Sequence, residues 1–208
     1  MTLREHLTRV VAVGLAGTVW WFLYSWINAF NARSDRAVFL ASTPSELYPN
    51  IIQPSSAVVY VLGSLVLLIA PLVYCWQKPR FLAFMTMVAI GTVVGFIIFL
   101  IWPLNIRRPV FTGDRFGESM LRWIFSIDQN ANCFPSFHSF FAVLGALVVA
   151  QYAQHWQETV GAWLLAILIL ISTVTTGQHY VIDGIAGSAL AVLSFLVVHI
   201  FPRSQPTL

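Results

Sequence analysis

Charged residues and cysteines are both scarce in this sequence. Only 9% of the 208 residues are Asp, Glu, Lys or Arg, whereas about a quarter are charged in a typical soluble domain. Together with a hydrophobic content of 58% and a mean hydropathy of +0.79, this scarcity excludes a soluble globular domain and a disordered chain. The two cysteines, Cys75 and Cys133, are too few for a disulfide framework or a zinc-binding cysteine motif. The net charge of +3 is small, so we expect no nucleic acid as a partner.

Long apolar runs fill most of the chain. A helix needs about 20 predominantly apolar residues to cross a bilayer, and six segments reach or approach this length. The sequence therefore predicts an all-α integral membrane protein, a six-transmembrane-helix bundle that forms a single membrane domain over residues 1–208. The predicted spans are Val10–Phe30, Ala57–Trp76, Phe81–Trp102, Phe137–Ala153, Ala162–Thr176 and Val181–Phe201.

The distribution of Lys and Arg among the loops predicts the orientation of the bundle. The counts on the two sides are nearly equal, but the short basic turn Gln77–Arg80 favours the cytoplasmic side and places both termini inside. Cys75 then lies near the inner face and Cys133 near the outer face, so we expect two free thiols. The compact chain has no glycosylation sequon, which favours a multi-pass protein of a bacterial inner membrane.

Asp183 is the one acidic residue inside a predicted span. A charge near the bilayer centre costs about 2.5–3.5 kcal/mol on insertion scales, so this carboxylate needs a partner. His179 precedes it by four residues and lies on the same helical face. An isolated His-x-x-x-Asp is more often a self-satisfied polar pair at the start of a helix, so a functional role depends on what lies nearby.

A second polar motif, Asn132-Cys-Phe-Pro-Ser-Phe-His138, stands at the start of the fourth predicted span. Pro135 suits the first turn of a helix, where its missing N–H costs nothing. The free backbone N–H groups around Ser136 and Phe137 favour an anion, and His138 adds an imidazole. A lone histidine here would more often be an ordinary interfacial residue, but the amides, the hydroxyl and the imidazole together are more specific.

Arg107 and Arg108 add positive charge just before Pro109, after the third predicted span. A guanidinium binds phosphate through paired, charge-assisted hydrogen bonds, although a single arginine more often extends to a lipid headgroup. Alternation of six spans places all three motifs at one end of the bundle, the predicted outer side. Two histidines, a carboxylate, a helix start and an arginine indicate a site for a phosphorylated substrate. One imidazole would be the nucleophile, and the other would protonate the leaving oxygen.

At these residues the chain resembles the type 2 phosphatidic acid phosphatase superfamily of membrane lipid phosphatases and phosphotransferases. The motifs of that family are Lys-x6-Arg-Pro, Pro-Ser-Gly-His and Ser-Arg-x5-His-x3-Asp, in that order. The counterparts here are Arg108-Pro109, Pro135-Ser-Phe-His138 and Ser172-Thr-Val-Thr-Thr-Gly-Gln-His179-Tyr-Val-Ile-Asp183. The resemblance covers residues 45–187, which we expect to be the catalytic region.

The resemblance implies a role for each matching residue. His179 would attack phosphorus and form a phosphohistidine, while Asp183 would orient His179 and stabilise its positive charge. His138 would protonate the leaving group and then deprotonate the incoming water or alcohol. The phosphoryl oxygens would be held by Arg108, Ser136, the amides near Phe137 and, as the other arginine of the pair, Arg107. No metal and no other cofactor is implied, because the positive charge comes from side chains and helix ends.

Three positions depart from the family motifs. Ile101 stands in place of the lysine, Phe137 in place of the glycine and Thr173 in place of the arginine, so two cationic phosphate ligands are missing. The motifs Phe-Pro-Ser-x-His and Thr-Gly-Gln-His-Tyr-x-x-Asp resemble the inositolphosphorylceramide synthase-like branch of the family. The stretch from Glu46 to Tyr60, which enters the second span, also resembles that branch.

The sequence supports one leading function and leaves two alternatives open. The leading function is a membrane phosphatase that hydrolyses a phosphatidate-like or polyprenyl-phosphate-like ester at the periplasmic or extracellular face. The first alternative is a phosphotransferase that moves a phospho-headgroup to an alcohol acceptor. The second is a non-catalytic lipid carrier or scaffold, which would need neither histidine. The expected partners are a phosphorylated lipid substrate and the lipid bilayer.

Overall fold

A computed structural model describes residues 2–40, 42 and 50–200. The stretch Glu46–Pro49 and the predicted end of the last span at Phe201 lie outside the described residues. Within that part of the chain, seven α-helices account for most residues. They are α1 (Leu3–Ala32), α2 (Ser64–Tyr74), α3 (Lys78–Ile101), α4 (Phe116–Ile127), α5 (Phe137–Tyr152), α6 (Trp156–Thr175) and α7 (Val181–Ile200).

Five helical segments among the described residues are long and apolar enough to cross a membrane. They are α1, the segment Pro54–Tyr74 that includes α2, most of α3, α6 and α7. These five helices confirm the integral membrane class. The fourth predicted span is α5, which has only 16 residues. That length corresponds to about 24 Å, shorter than the roughly 30 Å hydrocarbon core, so the predicted count of six spans depends on α5.

The short helix α5 lies at the centre of the bundle, where it packs against α2, α6 and α7. Ten of its 16 residues are buried. A Cβ on Gly145 would meet the backbone carbonyl of Leu67, so the absence of a side chain lets α5 and α2 approach closely. Neighbouring helices surround α5, so the backbone groups at its two ends can be buried in protein instead of exposed to lipid. The helix can therefore be shorter than the hydrocarbon core.

Two aromatic rings at the start of α5 pack into α3. Gly91 and Gly95, one turn apart on α3, lie directly under the rings of Phe140 and Phe137. A Cβ on Gly95 would come within 2.6 Å of Cζ of Phe137. The Phe137 ring also contacts Trp20 of α1 edge-on, with 5.5 Å between the ring centroids. Phe137 is therefore a core residue whose side chain joins α5 to α1 and α3.

The second apolar segment begins irregularly. A 3-10 turn at Pro54–Ser56 is followed by a π-helical turn at Val59–Gly63, and only then does regular helix α2 begin. π-helical turns inside helices occur frequently at functional sites. Tyr60 lies in this turn, and it packs in a buried cluster with Ala57 and with Leu121 of α4.

Two elements of the connecting segments were not predicted. The parallel strands β1 (Val38–Phe39) and β2 (Leu104–Asn105) pair the segment after α1 with the segment after α3. Helix α4 follows β2 and packs Leu121 and Ile124 against the start of the second apolar segment. Both elements are shorter than a membrane span, and span-length apolar runs were the signal that defined the predicted helices.

Candidate active site

His179 and Asp183 lie side by side at the junction of α6 and α7. Nδ1 of His179 is 3.4 Å from Oδ2 of Asp183 and 3.0 Å from the carbonyl oxygen of Cys133. A carbonyl oxygen can only accept a hydrogen bond, so Nδ1 carries the hydrogen and Nε2 keeps its lone pair. Asp183 is fully buried, and His179 is 6% exposed. These contacts hold His179 in one tautomer, in which Nε2 keeps its lone pair.

The turn between α6 and α7 sets the position of this pair. The carbonyl oxygen of Thr173 accepts the backbone N–H of His179 at 3.1 Å. Gly177 has a φ of 72°, a conformation that residues with a Cβ rarely adopt. The backbone N–H of Tyr180 donates to Oδ2 of Asp183 at 2.8 Å. Backbone hydrogen bonds therefore fix both members of the pair.

The start of α5 lies against the start of α7. The backbone N–H of Ser136 donates to the carbonyl oxygen of Asp183 at 3.0 Å. Oγ of Ser136 accepts the N–H of Ser139 at 3.3 Å and caps the helix. The N–H groups of Phe137 and His138 stand in the first turn, where a helix offers them no acceptor. The sequence predicted free amides around Ser136 and Phe137, but the Ser136 N–H is engaged by Asp183, so Phe137 and His138 supply the amides available to an anion.

His138 contacts both the predicted nucleophile and a residue that the sequence analysis missed. The rings of His138 and His179 lie 6.0 Å apart between centroids, so the structure brings the two predicted histidines together. The hydroxyl of Tyr60 lies 3.1 Å from Nδ1 of His138, and the two ring centroids are 4.1 Å apart. Tyr60 is 78 positions from His138 in sequence, so no local motif connects them.

The guanidinium of Arg108 lies against the loop that leads to α5. It donates to the carbonyl oxygen of Asp128, to Oδ2 of the same residue at 3.4 Å and to the carbonyl oxygen of Gln129 at 3.2 Å. The ring of Phe125 lies beneath it, 4.7 Å from the guanidinium carbon. Nε of Arg108 is buried and has no hydrogen-bond partner among the described residues. A buried, charged N–H group without an acceptor is suited to bind an anionic ligand.

Arg107 and Arg108 have different surroundings. Arg107 is exposed, and its guanidinium lies over the ring of Phe39 in β1, 5.8 Å from the ring centroid. Pro109 instead contacts the turn that carries His179, because a Cβ on Gly177 would lie 2.7 Å from its Cδ. Of the two arginines, Arg108 is therefore the one that contacts the loop before α5.

Asp128 connects Arg108 to α1. Its Oδ1 accepts hydrogen bonds from Nδ2 of Asn28 at 2.6 Å and from the hydroxyl of Tyr24 at 3.1 Å. Burial raises the pKa of Asp128, and the Arg108 guanidinium, the Tyr24 hydrogen bond and the charge of His179 offset part of that rise. The partners on α1 are 100 or more positions away in sequence, which hides this network from local motifs.

The positions that depart from the family motifs supply no cation. Ile101 ends α3 and is exposed, with 76% of its surface accessible. Thr173 is fully buried, and its hydroxyl donates to the carbonyl oxygen of Leu170 at 2.7 Å within its own helix. Neither side chain can replace the missing lysine or arginine.

One group of side chains in the described part of the chain has the composition of a metal site. Candidate ligand atoms of Cys133, His179 and Asp183 lie within 4.8 Å of one another. Burial raises the pKa of the Cys133 thiol well above its ordinary value, and a protonated thiol is a poor ligand. The carbonyl oxygen of Cys133 also engages Nδ1 of His179. These features favour a hydrogen-bonded histidine–carboxylate pair over a metal centre. Cys75 and Cys133 are both free, as predicted.

The fold and site together define an integral membrane protein in which a histidine–carboxylate pair faces a second histidine at a helix start. The chain matches the model of the PAP2 superfamily over residues 36–197, more than three quarters of its length. It therefore belongs to the PAP2 superfamily, as the motifs predicted. Searches of the curated proteins and of the solved structures give no match. Membership in this superfamily indicates a phosphatase-type or phosphotransferase-type activity toward lipid phosphates.

Proposed function

We propose that this protein is a lipid phosphatase that hydrolyses a phosphatidate-like or polyprenyl-phosphate-like ester through a phosphohistidine on His179. The arrangement of His179 supports this proposal most directly. Its Nδ1 faces Asp183 and the carbonyl oxygen of Cys133, which leaves Nε2 as the nucleophile. The ring of His138 lies 6.0 Å away, close enough to serve the same phosphoryl group as an acid and base.

In the first half-reaction, Nε2 of His179 forms a bond to phosphorus while the ester P–O bond breaks. The leaving oxygen takes a proton from the imidazolium of His138, which becomes neutral. Asp183 offsets the positive charge that His179 gains when it is phosphorylated. Its second carboxylate oxygen, Oδ1, is buried without a hydrogen-bond partner among the described residues, so no other donor neutralises its charge there.

In the second half-reaction, a water oxygen attacks phosphorus while neutral His138 takes a proton from that water. The N–P bond to His179 breaks, and inorganic phosphate leaves. His179 returns to the neutral tautomer with its hydrogen on Nδ1, and His138 is again protonated. Protons and charges therefore balance over the cycle without any further reactant.

The phosphoryl oxygens would be held where the start of α5 meets the loop before it. The N–H groups of Phe137 and His138 point out of the helix start and favour an anion. Ser136 accepts a hydrogen bond at its Oγ, and its own hydroxyl hydrogen can still be donated. Arg108 adds positive charge and a buried Nε donor, whereas Arg107 lies further out beside Phe39.

A phosphotransferase is the second candidate, because an alcohol can replace water in the second half-reaction. The buried Thr173 favours it, since it stands where the family motif has an arginine. This departure resembles the inositolphosphorylceramide synthase-like branch. The two histidines would perform the same steps, and only the acceptor would differ.

We also propose that α5 completes a bundle of six spans in a bacterial inner membrane, with residues 45–187 as the catalytic region. The start of α5, the end of α3 and the start of α7 meet at one end of the bundle, which would face the periplasm or the extracellular space. Both termini would then be cytoplasmic.

Turnover of a lipid panel by purified protein in mixed micelles tests this function. Lipid phosphates and phospholipids would be supplied with and without alcohol acceptors, and both phosphate release and headgroup transfer would be followed. The variant His179→Ala is the test, and His155→Ala, an exposed histidine before α6, is the matched control. We expect phosphate release by the wild type and the control only. Product that forms only with an alcohol identifies a phosphotransferase, and equal background from all three proteins favours a carrier.

A further inference from the structure

We propose that Tyr60 is a positioning residue for His138, which it holds so that Nε2 is the nitrogen that exchanges protons with substrate. This inference rests on the proposed function, in which His138 is the general acid and base. It begins with the contact between the two side chains. The Tyr60 hydroxyl lies 3.1 Å from Nδ1 of His138, and the rings are 4.1 Å apart between centroids.

The contact constrains the His138 ring in two ways. The hydrogen bond engages Nδ1 and so opposes a flip of the ring about its long axis. The face of Tyr60, inclined by 31° to the imidazole plane, limits tilting of the ring. Tyr60 is only 3% exposed, so water does not compete for the hydrogen bond.

Packing within the fold fixes the position of Tyr60 itself. Tyr60 lies in the π-helical turn Val59–Gly63 and packs in a buried cluster with Leu121 of α4. Gly63 ends the same turn against α6, where a Cβ would lie 3.1 Å from Cδ1 of Leu165. Removing the extra residue of the π turn would rotate its two ends relative to each other by about 100°. Tyr60 could then no longer contact His138 while Gly63 packs against Leu165 of α6.

The Tyr60 hydroxyl engages Nδ1 of His138 in both protonation states of the ring. In the acid form of His138 both nitrogens carry hydrogen, Nδ1–H donates to the Tyr60 oxygen, and Nε2–H goes to the leaving oxygen. The neutral ring that remains keeps its hydrogen on Nδ1, so Nε2 has the lone pair that accepts a proton from water. Tyr60 gains and loses no proton in either step. The hydroxyl can also donate to Nδ1, so its contribution is to keep Nδ1 engaged and Nε2 turned toward the substrate. Without the hydroxyl, the ring can turn so that Nε2 no longer reaches the leaving oxygen or the water.

The variant Tyr60→Phe tests this role, because it keeps the ring and removes only the hydroxyl. Values of kcat/KM would be measured on an alkyl lipid phosphate and on p-nitrophenyl phosphate. The alkoxide needs a proton to leave and the nitrophenolate does not, and kcat/KM reports the steps through the first bond cleavage. We expect a loss of about five- to tenfold on the alkyl ester, the size of one hydrogen bond, and little change on the aryl ester. A general structural defect would lower both values equally, and an equal loss or no loss overturns the inference.

Tyr74→Phe is the matched control. Tyr74 lies in the same apolar segment, and its hydroxyl donates to Oε2 of Glu158 at 2.8 Å. This variant should leave both rates unchanged. Two outcomes would contradict the proposed function and not the role of Tyr60. They are a wild type that hydrolyses neither ester, and turnover that persists in His179→Ala.

A double-mutant cycle on the lipid phosphate alone gives a second test. If Tyr60 acts through His138, then Tyr60→Phe should cause no further loss in a His138→Ala background. A loss that multiplies with that of His138→Ala would mean that Tyr60 acts elsewhere, and would overturn the inference. Thermal unfolding of each variant in detergent would establish that the rates compare folded proteins.

Discussion

Gly177 lies directly against Pro109, where a Cβ on the glycine would come within 2.7 Å of the proline Cδ. This contact joins the Arg-Arg-Pro motif to the turn that carries His179. Gly177 also has a φ of 72°, which glycine alone adopts without strain. The relative placement of Arg108 and His179 therefore depends on a position with no side chain.

Gly177→Ala should destabilise the protein and lower its activity. The left-handed backbone alone costs a residue with a Cβ about 1–2 kcal/mol, and the steric contact with Pro109 adds to this. Thermal unfolding in detergent measures the effect. Gly161→Ala in α6 is the control, because among the described residues no other side chain or packed element lies within 4 Å of its Cβ position. Alanine there should stabilise the helix by about 0.5–1 kcal/mol, and equal effects at the two glycines would contradict the strain argument.

Asp183→Asn should lower kcat by about 100-fold or more while the fold is retained. The asparagine oxygen can still accept the N–H of Tyr180, and the carbonyl oxygen of Cys133 still fixes the tautomer of His179. The loss would therefore come from the missing negative charge. Phosphate release under saturating substrate is the measurement, and Glu158→Gln, which lies in α6 and contacts Tyr74, is the control. Turnover near the wild-type value would make Asp183 a structural residue.

Arg108→Lys should reduce kcat/KM by about 10- to 100-fold, the range for a hydrogen bond to a charged group. Lysine cannot reproduce the planar fork that contacts Asp128 and lies over Phe125. Arg107→Lys should have little effect, because Arg107 is exposed beside Phe39. Initial rates over a range of substrate concentrations compare the two variants. Equal damage at both would mean that Arg107 shares in phosphate binding.

Asp128 should make stability depend on pH in a defined direction. Its pKa is raised by burial, so the folded protein binds this proton more tightly than the unfolded chain does. The stabilisation from this group is complete below the ordinary pKa of Asp and is lost as pH rises through the raised value. Asp128→Asn should therefore flatten stability across mildly acidic pH. Unfolding in detergent at several pH values measures the slope, and Asp114→Asn, whose side chain is fully exposed, should leave it unchanged.

The sequence predicted those parts of the site that are local along the chain. His179 and Asp183 are four positions apart, and Ser136, Phe137 and His138 open a helix, so spacing along the chain indicates that the members of each group lie together. The expectation that His179 and Asp183 share one helical face was wrong, because α7 begins only at Val181 and His179 lies in the turn before it. The membrane class follows equally directly from the long apolar runs. These signals need no knowledge of which helices are neighbours.

The remaining parts depend on contacts between distant segments. The hydrogen-bonded residues Tyr60 and His138 are 78 positions apart in sequence, and Asp128 and Asn28 are 100 positions apart. Neither hydrogen bond could be predicted without knowing which helices pack together. The length of α5 could be read from the sequence, but whether lipid or protein surrounds it could not. Helix α4 did leave a signal, since Leu121 and Ile124 share one face at helical spacing, and a search for short amphipathic helices would have found it.

The part of the chain shared with the family begins at residue 36, whereas α1 ends at Ala32. Tyr24 and Asn28 nevertheless reach from α1 to the carboxylate of Asp128, which in turn meets Arg108. A version of the protein trimmed to the shared region would keep every motif and lose both of these donors. The site therefore depends on α1 as well as on the shared region. A chimaera that joins residues 36–197 to another first helix must supply a hydroxyl and an amide that donate to Asp128 in the same way.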